Sequence, residues 1–337
     1  MHQDFTMKGE TLKQYFLLTR GIAVTVFSIS IQLYPVVKQQ SSIQQTIKEI
    51  IKPIPGNIGI SALHIESKQR VCINDDQFFP MASTYKLPIA LYFLSLVDSG
   101  KCNLQTKKKV TKYNVRRYCF IQPNQNLSLK KLVQLMLSKS DNAASDMIFN
   151  LVGGGKTLTQ WLQKQGINNM QIDRSTLKML ADYAGVTNLG DEHRCTVQHD
   201  RQIHQRVSKK NQLKALHKFY IDKCDTTTPR AMVDLLEKLH GKKMISINSR
   251  NFLLDCMQQC SNGKCMKPLL PQDITVWHKT GAMDGMVSDV GIIKLSGKKG
   301  HLALAFYSNK SIIMKAEREN AFARIAKVLV DHFSMNV

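Results

Sequence analysis

Residues 79–86 read Phe-Pro-Met-Ala-Ser-Thr-Tyr-Lys, a segment that follows a predicted hairpin and opens a predicted helix. Ser83 and Lys86 are three residues apart, so one helical turn places the hydroxyl and the amine on the same face, within reach of each other. A serine beside a lysine can act as a nucleophile with its base. The spacing alone is not diagnostic, because it recurs elsewhere, for example at Ser128 and Lys131.

Two further triplets give this segment its context. Ser140-Asp141-Asn142 lies between two predicted helices, and Lys279-Thr280-Gly281 ends a predicted strand. The order S-x-x-K, S-D-N, K-T-G is typical of serine β-lactamases and penicillin-binding proteins. The chain therefore resembles this superfamily over about residues 42–337.

The residues beside the motifs narrow the resemblance. His278 precedes Lys279, and the segment Asp-Thr-Thr-Thr-Pro stands at 225–229, between the second and third motifs. These flanks are most similar to class A β-lactamases and their class-A-like relatives.

The resemblance implies a catalytic role for each matching residue. Ser83 would attack the carbonyl carbon of a lactam or peptide, and the covalent ester would divide one difficult step into two easier ones. Lys86 would take the serine proton, which requires that burial beside Lys279 lower its pKa. Ser140 would relay a proton to the leaving nitrogen, and Asn142 would hold the substrate and Lys86 in register.

The resemblance also implies a set of binding residues. Lys279 and Thr280 would bind the substrate carboxylate. Gly281 would let the strand backbone approach the ligand, and the backbone N–H groups of Ser83 and Ala282 would form an oxyanion hole. We expect no cofactor and no metal, because the cysteines form no CxxC pair and the histidines no H-x-H-x-D arrangement.

The segment after Arg174 departs from the class A pattern. Class A enzymes carry a Glu shortly after an Arg in this region, where it positions the water that hydrolyses the acyl-enzyme. Here Arg174 is followed by Ser-Thr-Leu, and 51 residues separate it from Asp225, against roughly fifteen in the family pattern. We therefore expect a basic surface loop inserted at about residues 179–224. A long loop could fold back and bring a substitute carboxylate to the site. Its spacing favours none of the four candidates, which are Asp173, Asp182, Asp191 and Glu192.

Hydrophobic periodicity predicts a two-lobe α/β fold. Residues 58–65 and 69–73 favour a β-hairpin, and three more strands near the C-terminus would complete one antiparallel sheet built from both chain ends. Helical periodicity predicts an all-helical lobe at about residues 83–240, with a cleft where the chain passes between the lobes. The C-terminal strands are predicted at 273–279, 286–295 and 301–308, and the helices at 43–51, 84–97, 128–138, 142–151, 156–165, 230–239, 249–258 and 316–333.

The composition is that of an ordinary globular protein. With 337 residues, 43% hydrophobic and 21% charged, the chain is neither disordered nor collagen-like. We assign residues 41–337 to one catalytic domain.

The apolar run at 21–31 follows Lys8, Lys13 and Arg20, which predicts a signal peptide or membrane anchor over residues 1–40 and export to the periplasm or beyond.

Charge and cysteine content add two expectations about the surroundings of the protein. The net charge of +22 attracts polyanions, but its sign does not choose among nucleic acid, anionic lipid and an acidic envelope polymer. Because no zinc-finger or RNP-type motif is present, we expect no nucleic-acid partner, and the basic residues favour a solvated surface, with an anionic envelope polymer as the alternative partner. Eight cysteines are an even number, which favours some disulfides in an exported protein. Cys195 and Cys224 bracket the insertion and are the pair that we hypothesise.

The predicted function is that of a monomeric, class-A-like serine β-lactamase acting through an acyl-enzyme on Ser83. A positioned general base commonly contributes about 10²- to 10⁴-fold to its step, so without the Glu we expect slow hydrolysis of the ester. One alternative is a penicillin-binding D-alanyl-D-alanine peptidase that acts on cell-wall stem peptides. The other is a non-hydrolytic relative that binds an envelope polymer.

Overall fold

Five antiparallel strands form the main sheet of the computed structural model, which describes residues 42–261 and 264–335. The strand order is β2-β1-β9-β8-β7, so the predicted sheet built from both chain ends is confirmed. Two short pairs, β3 with β6 and β4 with β5, lie outside this sheet. The strands of the described residues are β1 (Asn57–His64), β2 (Arg70–Ile73), β3 (Phe79–Pro80), β4 (Lys107–Lys109), β5 (Asn126–Ser128), β6 (Thr226–Thr227), β7 (Thr275–Met283), β8 (Met286–Lys294) and β9 (His301–Asn309).

Helices occupy the middle of the chain and its last segment, as the periodicity predicts. Helix α2 is buried on nearly every side and packs against α3, α4, α5 and α10, so it is the central helix of the helical lobe. The helices are α1 (42–51), α2 (Lys86–Asp98), α3 (Leu129–Ser138), α4 (Asn142–Leu151), α5 (Gly154–Lys164), α6 (Thr176–Ala184), α7 (Val197–Gln205), α8 (Lys209–Ile221), α9 (Pro229–His240), α10 (Ile247–Gln258) and α11 (Lys315–Met335).

The main sheet is covered on both faces, which explains why its central strands β1, β8 and β9 are buried along nearly their whole length. On β9, Phe306 stacks on Phe322 of α11 at a centroid distance of 4.9 Å. The next residue, Tyr307, points to the opposite face and stacks on Phe79 at 6.0 Å. All these strands and helices from Glu49 onward belong to one compact unit.

Serine side chains at helix N-termini explain why the S-x-x-K spacing recurs. Ser128 Oγ accepts a hydrogen bond from the backbone N–H of Lys131 at 3.2 Å, and Ser175 Oγ accepts one from that of Lys178 at 3.1 Å. Both serines are therefore N-caps, which satisfy a backbone donor of the first helical turn. Ser83 makes no such bond, so its hydroxyl is not used to begin a helix.

The insertion is helical, and the expectation of a surface loop at 179–224 is wrong. Together with the end of α6, helices α7 and α8 fill most of it, and α7 and α8 begin where Thr196 and Ser208 accept hydrogen bonds from backbone N–H groups at 3.2 and 3.3 Å. The apolar residues of its core are few and lie partly in helices and partly in the turns between them, so no single stretch shows clear periodicity. They meet in a small core made of Leu177, Ala181, Val186, Leu189 and Cys195, with Ile203 and Val207 packed against it.

An ion pair closes the insertion at its base. Arg174 Nε lies 2.6 Å from Asp225 Oδ2, although 51 residues separate the two. Asp225 is 1% exposed, and its Oδ1 accepts hydrogen bonds from the backbone N–H groups of Asp173 and Arg174 at 2.8 and 3.1 Å. The backbone carbonyl of Asp225 also accepts from the N–H of Met81 at 2.9 Å. The base of the insertion is thereby fastened to the segment that carries Ser83.

Two further expectations concern the N-terminal segment and the Cys195–Cys224 disulfide. The predicted signal peptide or anchor at 1–40 lies outside the described residues. Among the residues that are described, no helix is both long and apolar enough to span a membrane. Cys195 and Cys224 are both free thiols, so the hypothesised bond between them is not formed in the structure.

Candidate active site

Ser83 lies on a one-turn 3-10 helix, Ala82–Tyr85, between β3 and α2. Ala82 adopts a left-handed backbone conformation with φ of +46°, which is uncommon for a residue with a side chain and turns the chain sharply before Ser83. The Ser83 side chain is partly exposed, and within the described residues no hydrogen bond involves its Oγ. Its hydroxyl is thus available to a molecule in the cleft.

Lys86 is the first residue of α2 and is completely buried. Its Nζ donates to the backbone carbonyl of Ser140 at 2.6 Å, to Ser140 Oγ at 3.3 Å and to Asn142 Oδ1 at 2.7 Å. The amide of Asn142 also donates to the carbonyl of Arg117 at 3.0 Å, which fixes its orientation. The first two sequence motifs therefore meet through one amine.

Lys279 joins the third motif to the same hydroxyl. Its Nζ lies 3.0 Å from Ser140 Oγ and 2.7 Å from the carbonyl of Thr280. Ser140 adopts a left-handed conformation with φ of +57°, and this turn directs its hydroxyl between the two lysines. The structure thus brings Lys86, Ser140, Asn142 and Lys279 into one hydrogen-bonded group.

The two buried amines have depressed pKa values. Burial lowers the pKa of Lys86 well below its usual value and Lys279 lowers it further, while Asp146 and Asp141 act in the opposite direction. Burial also lowers the pKa of Lys279. A neutral amine at Lys86 is the form that can accept a proton from a neighbouring hydroxyl.

Gly281 allows β7 to lie directly against the Ser83 turn. A Cβ on Gly281 would stand 2.8 Å from the backbone N of Ser83, 3.0 Å from the carbonyl of Met81 and 2.6 Å from Ser288 Oγ. Ser288 Oγ itself donates to that carbonyl at 3.2 Å, so these groups have little room to move. Ala282 follows on the same strand and lines the cleft. Thr280 is buried beside Cys260, with a distance of 4.0 Å between its Oγ1 and the Cys260 Sγ.

A Gly281→Ala variant should react with penicillins about 10- to 100-fold more slowly than the wild type. The added methyl group must push β7 away from Ser83, and a displacement of this kind misplaces the reacting groups. The measurement is the second-order rate constant of covalent adduct formation. Gly241→Ala is the matched control, because Gly241 has φ of −71° and a Cβ there meets nothing closer than 3.4 Å. Equal rates for Gly281→Ala and Gly241→Ala would contradict this account of β7.

A cavity of about 380 Å³ opens over Ser83, and its walls include Ser140, Asn142 and Ala282. Two aromatic side chains stand at its edge, Tyr118 with 76% and Phe120 with 63% of their surface exposed. Exposed aromatic rings at the edge of a cavity provide apolar contact area for a ligand. Neither residue is predicted from the sequence, because both belong to an irregular segment without a motif.

Thr176 is a third cavity residue that the motifs do not indicate. It begins α6 two residues after Arg174, is 5% exposed and lines the cavity. Its Oγ1 lies 2.5 Å from the Tyr85 hydroxyl, and its backbone N–H donates to Asp146 Oδ1 at 2.6 Å. Asp146 is itself held by Arg116 Nε at 2.9 Å. Thr176 therefore occupies the stretch in which the class A pattern has its Glu.

The four carboxylates considered as substitutes for that Glu are engaged elsewhere. Asp173 accepts from the backbone N–H of Asp225 at 3.0 Å, and Asp182 pairs with Arg174 at 3.1 Å. Asp191 caps the 3-10 turn at Glu192–Arg194, and Glu192 accepts from Ser175 Oγ at 2.6 Å. None of the four lines the cavity over Ser83.

Comparison with known proteins agrees with the fold. The model of the β-lactamase enzyme family matches residues 42–333. The extended-spectrum β-lactamase PER-1 of Pseudomonas aeruginosa is 24% identical over 86% of this chain and 87% of its own length. The crystal structure of a β-lactamase from Chitinophaga pinensis DSM 2588 superposes with a TM-score of 0.70 and 26% identity, covering 86% of this chain and 98% of the other. That of the extended-spectrum β-lactamase TLA-1 gives a TM-score of 0.71 and 26% identity, covering 88% and 99%.

The fold, together with these relatives, defines a serine hydrolase of the class A type. The match to the family model extends over most of the chain, including all three motifs. The chain belongs to the β-lactamase enzyme family.

Proposed function

We propose that this protein opens β-lactam rings through a covalent ester on Ser83 and hydrolyses that ester slowly. The observation that carries the proposal is the meeting of Lys86 and Lys279 at Ser140 Oγ, at 3.3 and 3.0 Å, beside a serine whose own hydroxyl faces the cavity. Among the described residues, no acidic side chain lines that cavity. This arrangement supports acylation of Ser83, and the lack of an acidic side chain in the cavity supports slow deacylation.

Acylation follows from the positions of these groups. Ser83 Oγ attacks the lactam carbonyl carbon while the neutral amine of Lys86 takes its proton, and the backbone N–H groups of Ser83 and Ala282 hold the oxyanion. The C–N bond then breaks as the Ser140 hydroxyl donates its proton to the lactam nitrogen. The Lys86 ammonium, whose Nζ lies 3.3 Å from Ser140 Oγ, then returns to Ser140 the proton that it took from Ser83, so Lys86 is neutral again and Lys279 keeps its charge. The cationic form of Lys279, with Thr280, binds the substrate carboxylate.

Deacylation requires a water molecule activated by a base. Thr176 lies in the stretch where class A enzymes carry the basic Glu, and its hydroxyl is hydrogen-bonded to the Tyr85 hydroxyl at 2.5 Å. A threonine hydroxyl cannot accept a proton near neutral pH as a carboxylate does. The ester is expected to persist because the second step lacks its general base.

The test is a rapid-mixing experiment with a chromogenic cephalosporin, combined with intact-mass measurement. We expect a burst of about one equivalent of opened lactam, followed by a much slower steady rate, with the acyl-enzyme as the dominant mass species. Rapid turnover with no accumulating adduct would show that deacylation is efficient and would overturn the slow-hydrolysis part of the proposal.

The D-alanyl-D-alanine peptidase alternative rests on the same lack of a carboxylate at the cavity, because such peptidases use the three motifs without the Glu. Release of D-alanine from a model stem peptide distinguishes the two functions. A Ser83-dependent release that is faster than lactam turnover would favour the peptidase.

A further inference from the structure

Glu66, His240 and His301 form a cluster that plays no part in the cleft. Each offers one ligand atom, and these three atoms lie within 4.8 Å of one another. Glu66 belongs to the turn between β1 and β2, His240 ends α9, and His301 begins β9. Helix α9 packs against both β1 and β9, so three separate elements present these side chains from a common scaffold.

The cluster lies far from Ser83. His301 pairs with Lys294 on β8, and Lys294 pairs with Thr275 on β7, six residues before Gly281. At roughly 3.3 Å per residue, this corresponds to about 20 Å along the strand. Whatever the cluster binds is not the molecule in the cleft.

Local contacts hold two of the three side chains in place. Glu66 Oε1 lies 2.8 Å from His301 Nδ1, and Glu66 Oε2 accepts from the backbone N–H of His301 at 2.8 Å. Gly300, with φ of +85°, makes room for this carboxylate, because a Cβ there would stand 2.3 Å from Glu66 Oε2. The ring of His301 is further stacked on Trp277 at 6.3 Å.

His240 is the third side chain, and its environment is that of an available ligand. Its ring lies 4.3 Å from the His301 ring, and within the described residues no hydrogen bond involves either of its nitrogens. The C-terminal carbonyls of α9 also favour a cation at this end of the helix.

We propose that Glu66, His240 and His301 bind a divalent transition-metal ion of the Zn²⁺ class. Two imidazoles and one carboxylate suit Zn²⁺, whereas Mg²⁺ and Ca²⁺ prefer sets of oxygen ligands. Ligand atoms around tetrahedral Zn²⁺ stand about 3.3 Å apart. Side-chain rotations that bring the three ligand atoms about 1 to 1.5 Å closer together would therefore form the site. The ion would join the β1–β2 turn to the ends of α9 and β9.

Two neighbouring groups, His64 and Lys68, are held by other contacts. His64 Nε2 lies 3.7 Å from Glu66 Oε2, but it also lies 2.7 Å from the carbonyl of Lys299, to which it donates. Its Nδ1 accepts from the backbone N–H of Ser67 at 3.1 Å, so His64 supports the carboxylate instead of binding the ion. Lys68, a nearby cation, is held by Glu237 at 2.7 Å.

The test is titration of the full chain, after treatment with a chelator, with Co²⁺ as a spectroscopic probe. We expect one equivalent to give the visible absorption bands of a nitrogen-ligated, low-coordinate ion, and Zn²⁺ to displace it. His240→Gln, His301→Gln and Glu66→Gln should each weaken binding at least about tenfold. The control His217→Gln removes an exposed histidine of α8 and should bind as the wild type does. Zn²⁺ should also raise the melting temperature of the wild type and not that of His240→Gln.

Two results would overturn the proposal. One is a wild-type protein that gives no Co²⁺ bands. The other is an unchanged Co²⁺ affinity in both His240→Gln and Glu66→Gln. Each variant must first show, without metal, a melting temperature near that of the wild type. Because Trp277 contacts His301, quenching of its fluorescence by Co²⁺ in a Trp161→Phe background provides a second, local readout.

Discussion

A Ser83→Ala variant should form no covalent adduct with a penicillin and should lose at least about 10⁴-fold of its turnover. The reason is geometric as well as chemical. Lys86 and Lys279 both point at Ser140, and neither can supply an attacking atom to a bound lactam once the Ser83 hydroxyl is gone. The cavity and its binding groups are unchanged, so the variant should still bind the substrate non-covalently.

Intact-mass measurement after incubation with penicillin, together with equilibrium binding, checks both halves of this expectation. Ser95→Ala is the matched control, since it removes a hydroxyl from the same helix, α2, where Ser95 Oγ donates to the carbonyl of Tyr92 at 2.7 Å. An adduct of unchanged yield on Ser83→Ala would refute Ser83 as the nucleophile. Loss of non-covalent binding as well would mean that the hydroxyl holds the cavity in shape.

Much of the fold follows from short-range sequence patterns. The alternation of β1 and β2 and the apolar runs of β8 and β9 are strong enough to define strands in isolation, and their predicted bounds lie within about two residues of the structure. The first two motifs lie at helix ends, but Lys279-Thr280-Gly281 lies inside β7, which continues to Met283, so the prediction that this motif ends a strand at 279 is wrong. Ser140 needs its left-handed turn to reach both lysines, and the sequence reveals this only through the motif.

The parts that the sequence did not predict depend on contacts between distant residues. The helices of the insertion have few apolar positions each, and their core appears only when α6, α7 and the turns between them pack together. The pairing of Tyr85 with Thr176 joins residues 91 positions apart, and neither residue has a motif of its own. The cluster of Glu66 and His301 joins residues 235 positions apart through the sheet register. Spacing along the chain contains no trace of such contacts.

A Thr176→Glu variant should hydrolyse the acyl-enzyme about 10²- to 10⁴-fold faster than the wild type. Thr176 is the first residue of α6 and lines the cavity, so a carboxylate there stands at a helix N-terminus and beside the ester. The Tyr85 hydroxyl, now 2.5 Å from Thr176 Oγ1, would donate a hydrogen bond to that carboxylate. Asp146, whose carboxylate accepts from the Thr176 backbone N–H, would raise the pKa of the new acid toward the range of an effective base.

The rate of loss of the adduct, followed by intact mass after removal of excess penicillin, measures this step alone. Thr176→Gln is the matched control, because it has the same length and hydrogen-bonding groups but cannot take a proton at neutral pH. If the two variants hydrolyse the ester equally fast, the gain comes from space or water access, and the absence of a base is not what slows the wild type. If only Thr176→Glu gains, and its rate rises with pH through the titration of one group, a single carboxylate at the start of α6 is sufficient to convert this acylating serine into a fast hydrolase.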